Sequence, residues 1–215
     1  MSFVEQVTLQ GRHATLEPLS PQHEAGIREA VCDGELWKLF FTTVPKPEGV
    51  ADYISQLLAL RERGLAFPFA VLDSASGKVI GGTRYLNIDA ANRRVEIGGT
   101  WYAKRMQRTA VNTECKLLLL GHAFERLGCI AVEFRTDWFN KRSQAAIERL
   151  GAKRDGLLRN HMIMADGRVR DTVVYSIIKS EWPGVKTNLQ FMLDAATATA
   201  TATTIATASG DNHAD

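Results

Sequence analysis

The spacing of apolar positions along the chain predicts four helices. In each of four segments apolar residues recur three or four positions apart, which is the period of an amphipathic helix. Local signals mark the ends of these segments: Ser20 precedes the first as a helix cap, and Gly64 and Gly151 follow the second and the fourth. The predicted helices cover residues 21–32, 48–63, 111–127 and 140–150.

Short runs of β-branched and aromatic residues predict seven strands. These cover residues 12–17, 67–73, 78–88, 93–102, 129–136, 153–164 and 168–179. The turns at 74–77, 89–92 and 165–167 are short, which favours antiparallel neighbours. We therefore expect an α+β fold in one domain, built on a mixed sheet of seven strands with about four helices on its faces.

The last part of the chain has a different composition. Residues 195–208 are almost entirely Ala and Thr, without charge and without an amphipathic period. Because such a segment has no apolar face to bury, we expect a domain over residues 1–188 and a disordered tail over residues 189–215. The alternative is that the alternating threonines pair with an edge of the sheet.

Composition and charge argue against several classes of function. The chain has 215 residues, 45% of them hydrophobic, and its formal net charge of +2 gives no reason to expect nucleic acid or a membrane as partner. No apolar run reaches about 20 residues and no signal-peptide core is present, so we expect a soluble, cytoplasmic protein. Cys32, Cys115 and Cys129 lack the spacing of a disulfide framework or a ligand set, so we expect no metal.

The segment from Gln107 to Glu114 joins a predicted strand to the long apolar helix. A loop that enters a helix presents N–H groups without partners at the positive end of the helix dipole, and such a site favours phosphate. The alternative is an ordinary strand-to-helix connection in which Asn112 or Thr113 caps the helix. Taken alone, the segment is compatible with both interpretations.

Two further patterns bear on the same choice. The sequence Asn140-Lys141-Arg142-Ser143 begins a predicted helix that ends at Leu150-Gly151-Ala152, although Asn followed by Ser three residues later is also a routine helix cap. In the predicted fourth strand Gly98 and Gly99 are adjacent. Consecutive glycines weaken a strand and commonly mark a bulge or a site where another backbone comes close.

Together, the order of the elements and these three patterns resemble the GNAT superfamily of acyl-CoA-dependent N-acyltransferases, and within it the RimJ/RimL-like branch, over residues 7–184. Gln107 matches the family's loop, while Ala110 and Asn112 stand where the family has Gly and then Gly or Ala. The resemblance implies a sheet splayed between strands four and five, where acetyl-CoA binds as co-substrate. The cofactor-binding residues that it implies are Trp101, Tyr102, Arg105, Gln107, Arg108, Thr109, Ala110, Val111, Asn112, Thr113, Asn140 and Ser143.

Strand alternation and the resemblance together give candidate catalytic residues. Alternation places Glu96 on one face of its strand with Gly98 and Thr100, so it can face the cleft, and the resemblance implies the others. Acyl transfer to an amine needs a base, stabilisation of an oxyanion and a proton for the leaving thiolate. We expect Glu96 to act as the base through a water, a backbone N–H near Trp101 to bind the oxyanion, and Ser143 to protonate the thiolate, with Tyr175 as the alternative. The structural alternatives are that Glu96 pairs with an arginine such as Arg94 and that Tyr175 packs in the core.

The acceptor is expected to enter from the other side of the splayed sheet. Trp37, Phe40 and Phe41 lie between the first two predicted helices and are candidates for an apolar acceptor pocket. Asp171 is a candidate for contact with a cationic amine. Core packing explains the aromatic residues equally well, and a surface salt bridge explains Asp171.

These expectations favour an N-acetyltransferase that moves an acetyl group from acetyl-CoA to a primary amine, on a protein N-terminus or a small molecule, by direct attack in a ternary complex. The alternative is a non-catalytic acyl-CoA-binding or sensing protein, because Ala110 and Asn112 depart from the family's loop. Trp182, Phe191 and Met192 either form a homodimer interface or pack on the chain's own sheet.

Overall fold

A computed structural model describes residues 3–210, with side chains described to residue 198. Within that part of the chain there are eight strands and five α-helices. The helices are α1 Glu24–Cys32, α2 Val50–Glu62, α3 Val111–Gly121, α4 Lys141–Glu148 and α5 Trp182–Gly210. The strands are β1 Leu9–Gln10, β2 Ala14–Pro18, β3 Ala66–Asp73, β4 Val79–Asp89, β5 Arg94–Tyr102, β6 Ala131–Asp137, β7 Lys153–Ile163 and β8 Val169–Ile178.

The strands form one mixed sheet in the order β1-β2-β3-β4-β5-β6-β8-β7. Neighbouring strands run antiparallel except β5 and β6, which are parallel. Helices cover both faces, and the alternation of side chains along β3 shows this directly: Phe69 belongs to the core with α3 and α5, while Ala70 belongs to the core with α1 and α2. The expected α+β domain with a mixed sheet is confirmed.

The sheet opens between β5 and β6. These two strands pair at only three positions, from Arg94 with Ala131 to Glu96 with Glu133, although β5 continues to Tyr102 and β6 to Asp137. The facing edges beyond these pairs are free of ladder bonds among the described residues. The splay predicted between the fourth and fifth strands is therefore present, and the adjacent glycines, Gly98 and Gly99, lie just beyond its start at Glu96.

Gly99 shows why glycine is needed at this point. Its φ angle is +56°, in the left-handed region, and a Cβ built there would lie 2.5 Å from the Cζ atom of Arg84. The register of β4 against β5 shifts beside it, between Gly82 and Arg84. The glycine thus permits a bulge that turns the end of β5 away from β6.

Two details of the sheet and helices differ from the prediction. The eighth strand, β1, has only two residues and pairs with β2, and it is too short to show a period in the sequence. The predicted helix over 111–127 is α3 followed by a π-helical segment, His122–Arg126. Neither difference changes the architecture.

The fifth helix was not predicted. Trp182, Val185, Leu189 and Leu193 recur at helical spacing on α5 and are buried. Core packing therefore extends to Leu193, beyond the predicted domain boundary at residue 188. The backbone of the Ala/Thr segment continues this helix to residue 210, and Ala has the highest helix propensity. The last part of the expected tail, residues 211–215, lies outside the described residues.

The three residues considered for an interface have different environments. Trp182 stacks on Phe124 in the chain's own core and donates a hydrogen bond to Glu125 (2.8 Å). Met192 packs partly against that core, and Phe191 is 71% exposed. Of the described helices, none is both long and apolar enough to cross a bilayer.

Candidate active site

A cavity of about 540 Å³ lies at the opening between β5 and β6. Its walls are the free end of β5, the start of α3, the start of α4, the end of β6 and the loop between α1 and α2. Because it meets elements from both faces of the sheet, it can admit one ligand from the α3–α4 side and another from the α1–α2 side.

The start of α3 presents free backbone donors to the cavity. Ala110 is the N-cap residue and gives no side-chain cap, and Val111 N–H contacts Thr109 Oγ1 at 3.3 Å. The N–H groups of residues 108–110, 112 and 113 form no hydrogen bond within the described part of the chain. Arg108 adopts a φ of +65°, which bends the loop into the helix. This arrangement fits a phosphate and not a capped connection, since neither Asn112 nor Thr113 caps the helix.

Some of the residues around this loop line the cavity, and others lie outside it. Gln107 connects β5 to α4: its Nε2 donates to the Tyr102 carbonyl (3.0 Å) and its Oε1 accepts from Arg142 (2.8 Å). Arg105 does not line the cavity and instead pairs with Asp33 (2.9 Å). Of the residues expected to bind the cofactor, Trp101, Tyr102, Gln107, Arg108, Thr109, Asn112, Asn140 and Ser143 line the cavity, whereas Arg105, Ala110, Val111 and Thr113 do not.

The first turn of α4 lies opposite the start of α3. The Asn140 side chain accepts a hydrogen bond from Ser143 N–H (3.0 Å). Asn140 therefore caps the helix, which is the alternative that the sequence pattern allowed. Both residues also line the cavity, and the Ser143 hydroxyl forms no hydrogen bond among the described residues. Two cations, Arg142 on this helix and Arg149 at its C-cap, line the cavity as well and were not singled out from the sequence.

Lys116 is the most unusual cavity residue. It is 6% exposed, and its Nζ donates to Thr100 Oγ1 (2.8 Å) and lies 5.9 Å from the ring of Phe134. No carboxylate pairs with it in the described structure. Burial lowers its pKa from the ordinary 10.5 to about 8. Phe134 is the first residue of β6 beyond the last pair of the two strands, and Thr100 is the fourth residue of β5 beyond it. Lys116 therefore lies across the opening toward its narrow end.

The sequence carried one signal for Lys116. It is a single cation inside the apolar run of α3, between Cys115 and Leu117, where a charge is costly to bury. Which residues it faces depends on the packing of α3 against β5 and β6. For that reason the pattern alone could not separate a site residue from a lysine whose stem packs in the core.

Glu96 lies behind the cavity wall. It is 6% exposed; its Oε2 accepts from Asn87 Nδ2 (2.7 Å) and lies 3.5 Å from Arg135 Nε. Burial raises its pKa, against the opposing effect of Arg135. Arg94, the partner considered from the sequence, pairs with Glu133 instead. Glu96 does not line the cavity, but Arg135 and residues 97–102 do.

Several predicted residues lie away from the cavity. Tyr175 is 1% exposed and donates to Glu148 (2.8 Å), and burial together with that carboxylate raises its pKa to about 12. Asp171 accepts from Arg159 (2.8 Å) and from Asn160 N–H (2.7 Å), so it is already paired. The structural alternatives hold for both residues: Tyr175 packs in the core and Asp171 forms a surface salt bridge.

The three aromatic residues of the α1–α2 loop lie in different environments. Phe41 lines the cavity together with Leu36 and Leu39. Phe40 is 53% exposed and lies beneath the guanidinium of Arg168, while Trp37 packs against the α1–α2 core. No group of three or more His, Cys, Asp or Glu residues in the described part of the chain is arranged to hold a metal ion.

Comparison with known proteins identifies the family. The acetyltransferase (GNAT) domain matches residues 13–153. The "Putative ribosomal N-acetyltransferase YdaF" of Bacillus subtilis (strain 168) is 28% identical over 186 residues, and the match covers 81% of this chain and 96% of that protein. The crystal structure of a GCN5-related N-acetyltransferase from Brucella melitensis is 31% identical, with a TM-score of 0.79, and the match covers 88% of this chain and 86% of that chain.

A more distant structure shares the fold. The microcin C7 self immunity acetyltransferase MccE, in complex with acetyl-CoA and AMP, has a TM-score of 0.68 at 17% identity, and the match covers 78% of this chain and 93% of that chain. The resemblance drawn from the loop, the glycine pair and the start of α4 is thereby confirmed. The chain belongs to the GNAT family and is an acyl-CoA-dependent acetyltransferase.

Proposed function

We propose that the protein transfers the acetyl group of acetyl-CoA to a primary amine by direct attack within a ternary complex. One observation carries this proposal: the unpaired N–H groups at the start of α3 open onto a cavity that extends between two parted strands. Such a site offers hydrogen-bond donors for a diphosphate and free strand edges for an amide-bearing arm.

The positions of the hydrogen-bond donors and cations along the opening set the orientation of the co-substrate. The diphosphate binds at the wide end, where the α3 amides are joined by the cations Arg108, Arg142 and Arg149. The pantetheine arm follows the free edge of β5 toward the narrow end. The thioester therefore lies near Lys116 and Ser143, which supply a positive charge and a hydroxyl for the negative charge that develops on the carbonyl oxygen and the leaving thiolate.

The amine approaches from the α1–α2 side, the face of the sheet that carries Glu96. The raised pKa of Glu96 makes this carboxylate a stronger base than an exposed one, and a water beside Arg135 can relay the proton from the amine. Tyr175 does not act as the acid in this scheme, because its hydroxyl is buried against Glu148.

The proposal is tested by titrating the protein with acetyl-CoA in a calorimeter and then measuring thiol release with a panel of primary amines. Binding followed by thiol release with at least one amine is the expected result. Binding without release across amino acids, peptides and polyamines would support the acyl-CoA-sensing alternative and contradict the enzyme.

Arg142 and Arg105 allow a controlled test of the proposed diphosphate site, because only Arg142 lines the cavity. Arg142→Gln is expected to weaken acetyl-CoA binding about tenfold, because it removes a cavity cation that also holds Gln107. Arg105→Gln is expected to leave the Kd unchanged, since Arg105 pairs with Asp33 outside the cavity. Calorimetry on both variants checks this, and equal losses would contradict the placement of the phosphates.

A further inference from the structure

A charged network lies beside the cavity on the α1–α2 side of the sheet. Side chains alternate along a strand, so Glu133, Arg135 and Asp137 of β6 share the face opposite to Phe134, which packs toward α3. Four arginines contribute to the network, against three carboxylates. The arginines are Arg94, Arg135, Arg168 and Arg170, and the carboxylates are Glu96, Glu133 and Asp137.

The network has an excess of positive charge. Glu133 pairs with both Arg94 and Arg135, and Asp137 is shared by Arg168 and Arg170. The carboxylates therefore do not neutralise all the arginines.

Arg170 is the least satisfied member. The oxygen nearest to it in an ion pair is Asp137 Oδ2, 3.9 Å from its Nε, and that oxygen already accepts from Arg168 at 3.0 Å. Within the described residues the Arg170 guanidinium forms no hydrogen bond, and its buried Nε has only the distant Asp137 oxygen as ion-pair partner. The buried Nε of Arg135 also lacks a hydrogen bond and lies 3.5 Å from Glu96 Oε2. The Arg170 side chain is only 14% exposed. A guanidinium held this way loses its hydration without gaining acceptors, which is costly unless a ligand supplies them.

Arg135 and Arg170 both line the cavity. Asp137 is the one carboxylate among the described residues of the lining, and it already accepts from Phe139 N–H (2.8 Å) and Arg168. The loop that forms the facing wall contributes Phe41, Thr42, Thr43 and Val44, which carry no charge. The acceptor end of the cavity thus offers two cations and no free carboxylate to a ligand.

We propose that the acceptor amine carries a carboxylate, which Arg170 and Arg135 bind while the amine faces the thioester. A carboxylate matches the planar fork of a guanidinium and provides the missing acceptors. The acceptor is therefore an amino acid, or a peptide with a carboxylate close to its N-terminal amine. Polyamines and other purely cationic amines are disfavoured by the same charges. This inference rests on the proposed function and specifies its substrate class.

The first experiment compares acceptors that differ only in this charge. The ratio of kcat/KM is measured for amino acids against their amides, and for C-terminally amidated peptides with Asp against Asn at the second position. We expect the carboxylate member of at least one pair to be favoured about tenfold or more. The free amino acids and the peptides separate the two sources of the carboxylate. Equal kcat/KM within every pair, or a preference for spermidine, would overturn the inference.

Arg170 variants show whether this residue causes the preference. Arg170→Gln is expected to raise the KM of the carboxylate acceptor about tenfold and to bring the ratio near one, with acetyl-CoA binding unchanged. Arg170→Lys retains the charge but lacks the planar fork of the guanidinium. Its KM and its acid-to-amide ratio are expected to lie between those of the native protein and those of Arg170→Gln. The control is Arg63→Gln, an exposed arginine after α2. Equal losses for acid and amide in Arg170→Gln would indicate a structural role and contradict the inference.

A binding measurement tests the inference without turnover. An N-acetyl amino acid, the expected product, is titrated into the CoA-bound protein alongside its N-acetyl amide. The acid is expected to bind more tightly, and Arg170→Gln is expected to remove the difference. Equal affinities would overturn the inference even if the protein acetylates amines. If the acid binds more tightly than the amide but no amine gives thiol release, the carboxylate-binding site is supported and the proposed function is contradicted.

Discussion

Replacing Lys116 with Met is expected to make the protein more stable and less active. The lowered pKa, about 8 against 10.5, means that the folded state binds this proton less tightly than the unfolded state. Below about pH 8 both states are protonated, so burying the charge costs the folded state on the order of 3 kcal/mol, and Lys116→Met removes that cost. As the pH rises from about 8 toward 10.5 the cost declines, and the advantage of the variant declines with it.

The same substitution is expected to lower kcat about 100-fold, because the proposed mechanism then loses the positive charge placed beside the thioester. Urea unfolding at pH 7 and pH 10 measures the stability change, and steady-state thiol release measures the activity. Lys179→Met, at an exposed position after β8, is the matched control and should change neither. A variant that is stabilised but fully active would contradict the catalytic role. A destabilised variant would show that Lys116 contributes to folding.

Replacing Glu96 with Gln is expected to lower kcat/KM about 100-fold while acetyl-CoA binding is retained. A base acts only when it is deprotonated, so the activity of the native protein should increase as the pH rises through the pKa of Glu96. Burial raises that pKa, which places this limb of the profile above the ordinary range of a glutamate. The Gln variant should lack the limb and retain only the dependence that comes from the acceptor amine.

A pH–rate profile of both proteins checks this prediction. Gln keeps the shape of the side chain and can still accept the hydrogen bond from Asn87, so the fold should be preserved. Glu96→Asp retains a carboxylate on a shorter side chain and should recover part of the rate with the limb present. If the Gln variant keeps the acidic limb, another group is the base and the assignment of Glu96 is wrong.

The sequence predicted the parts of the site that depend on local chemistry. Gly98 and Gly99 indicated a bulge because two glycines weaken a strand wherever it lies, and the loop before α3 indicated free amides because every helix start has them. Asn140 indicated a helix cap, which it is, and its place in the cavity followed only from the family resemblance. These signals come from residues close together in the chain.

The assignments that failed required knowledge of which face or partner a residue meets. Arg105 seemed suited to a phosphate but pairs with Asp33, which is distant in sequence. Tyr175 and Asp171 are adjacent to suitable elements, yet Glu148 and Arg159 hold them outside the cavity. The short strand β1 gave no readable period because its two residues pair only after β2 is in place.

By itself the sequence determined the order of the elements, the point where the sheet opens and the position of the turn with free amides before α3, because periodicity, glycine conformation and unpaired helix amides are properties of short segments. Only the tertiary structure decided which charges face the cavity: Lys116 at its narrow end, Arg142 and Arg149 beside the α3 amides, and Arg170 without a full partner. The physical reason is that burial and pairing set the energy of a charge. Both depend on side chains that folding brings together from distant parts of the chain.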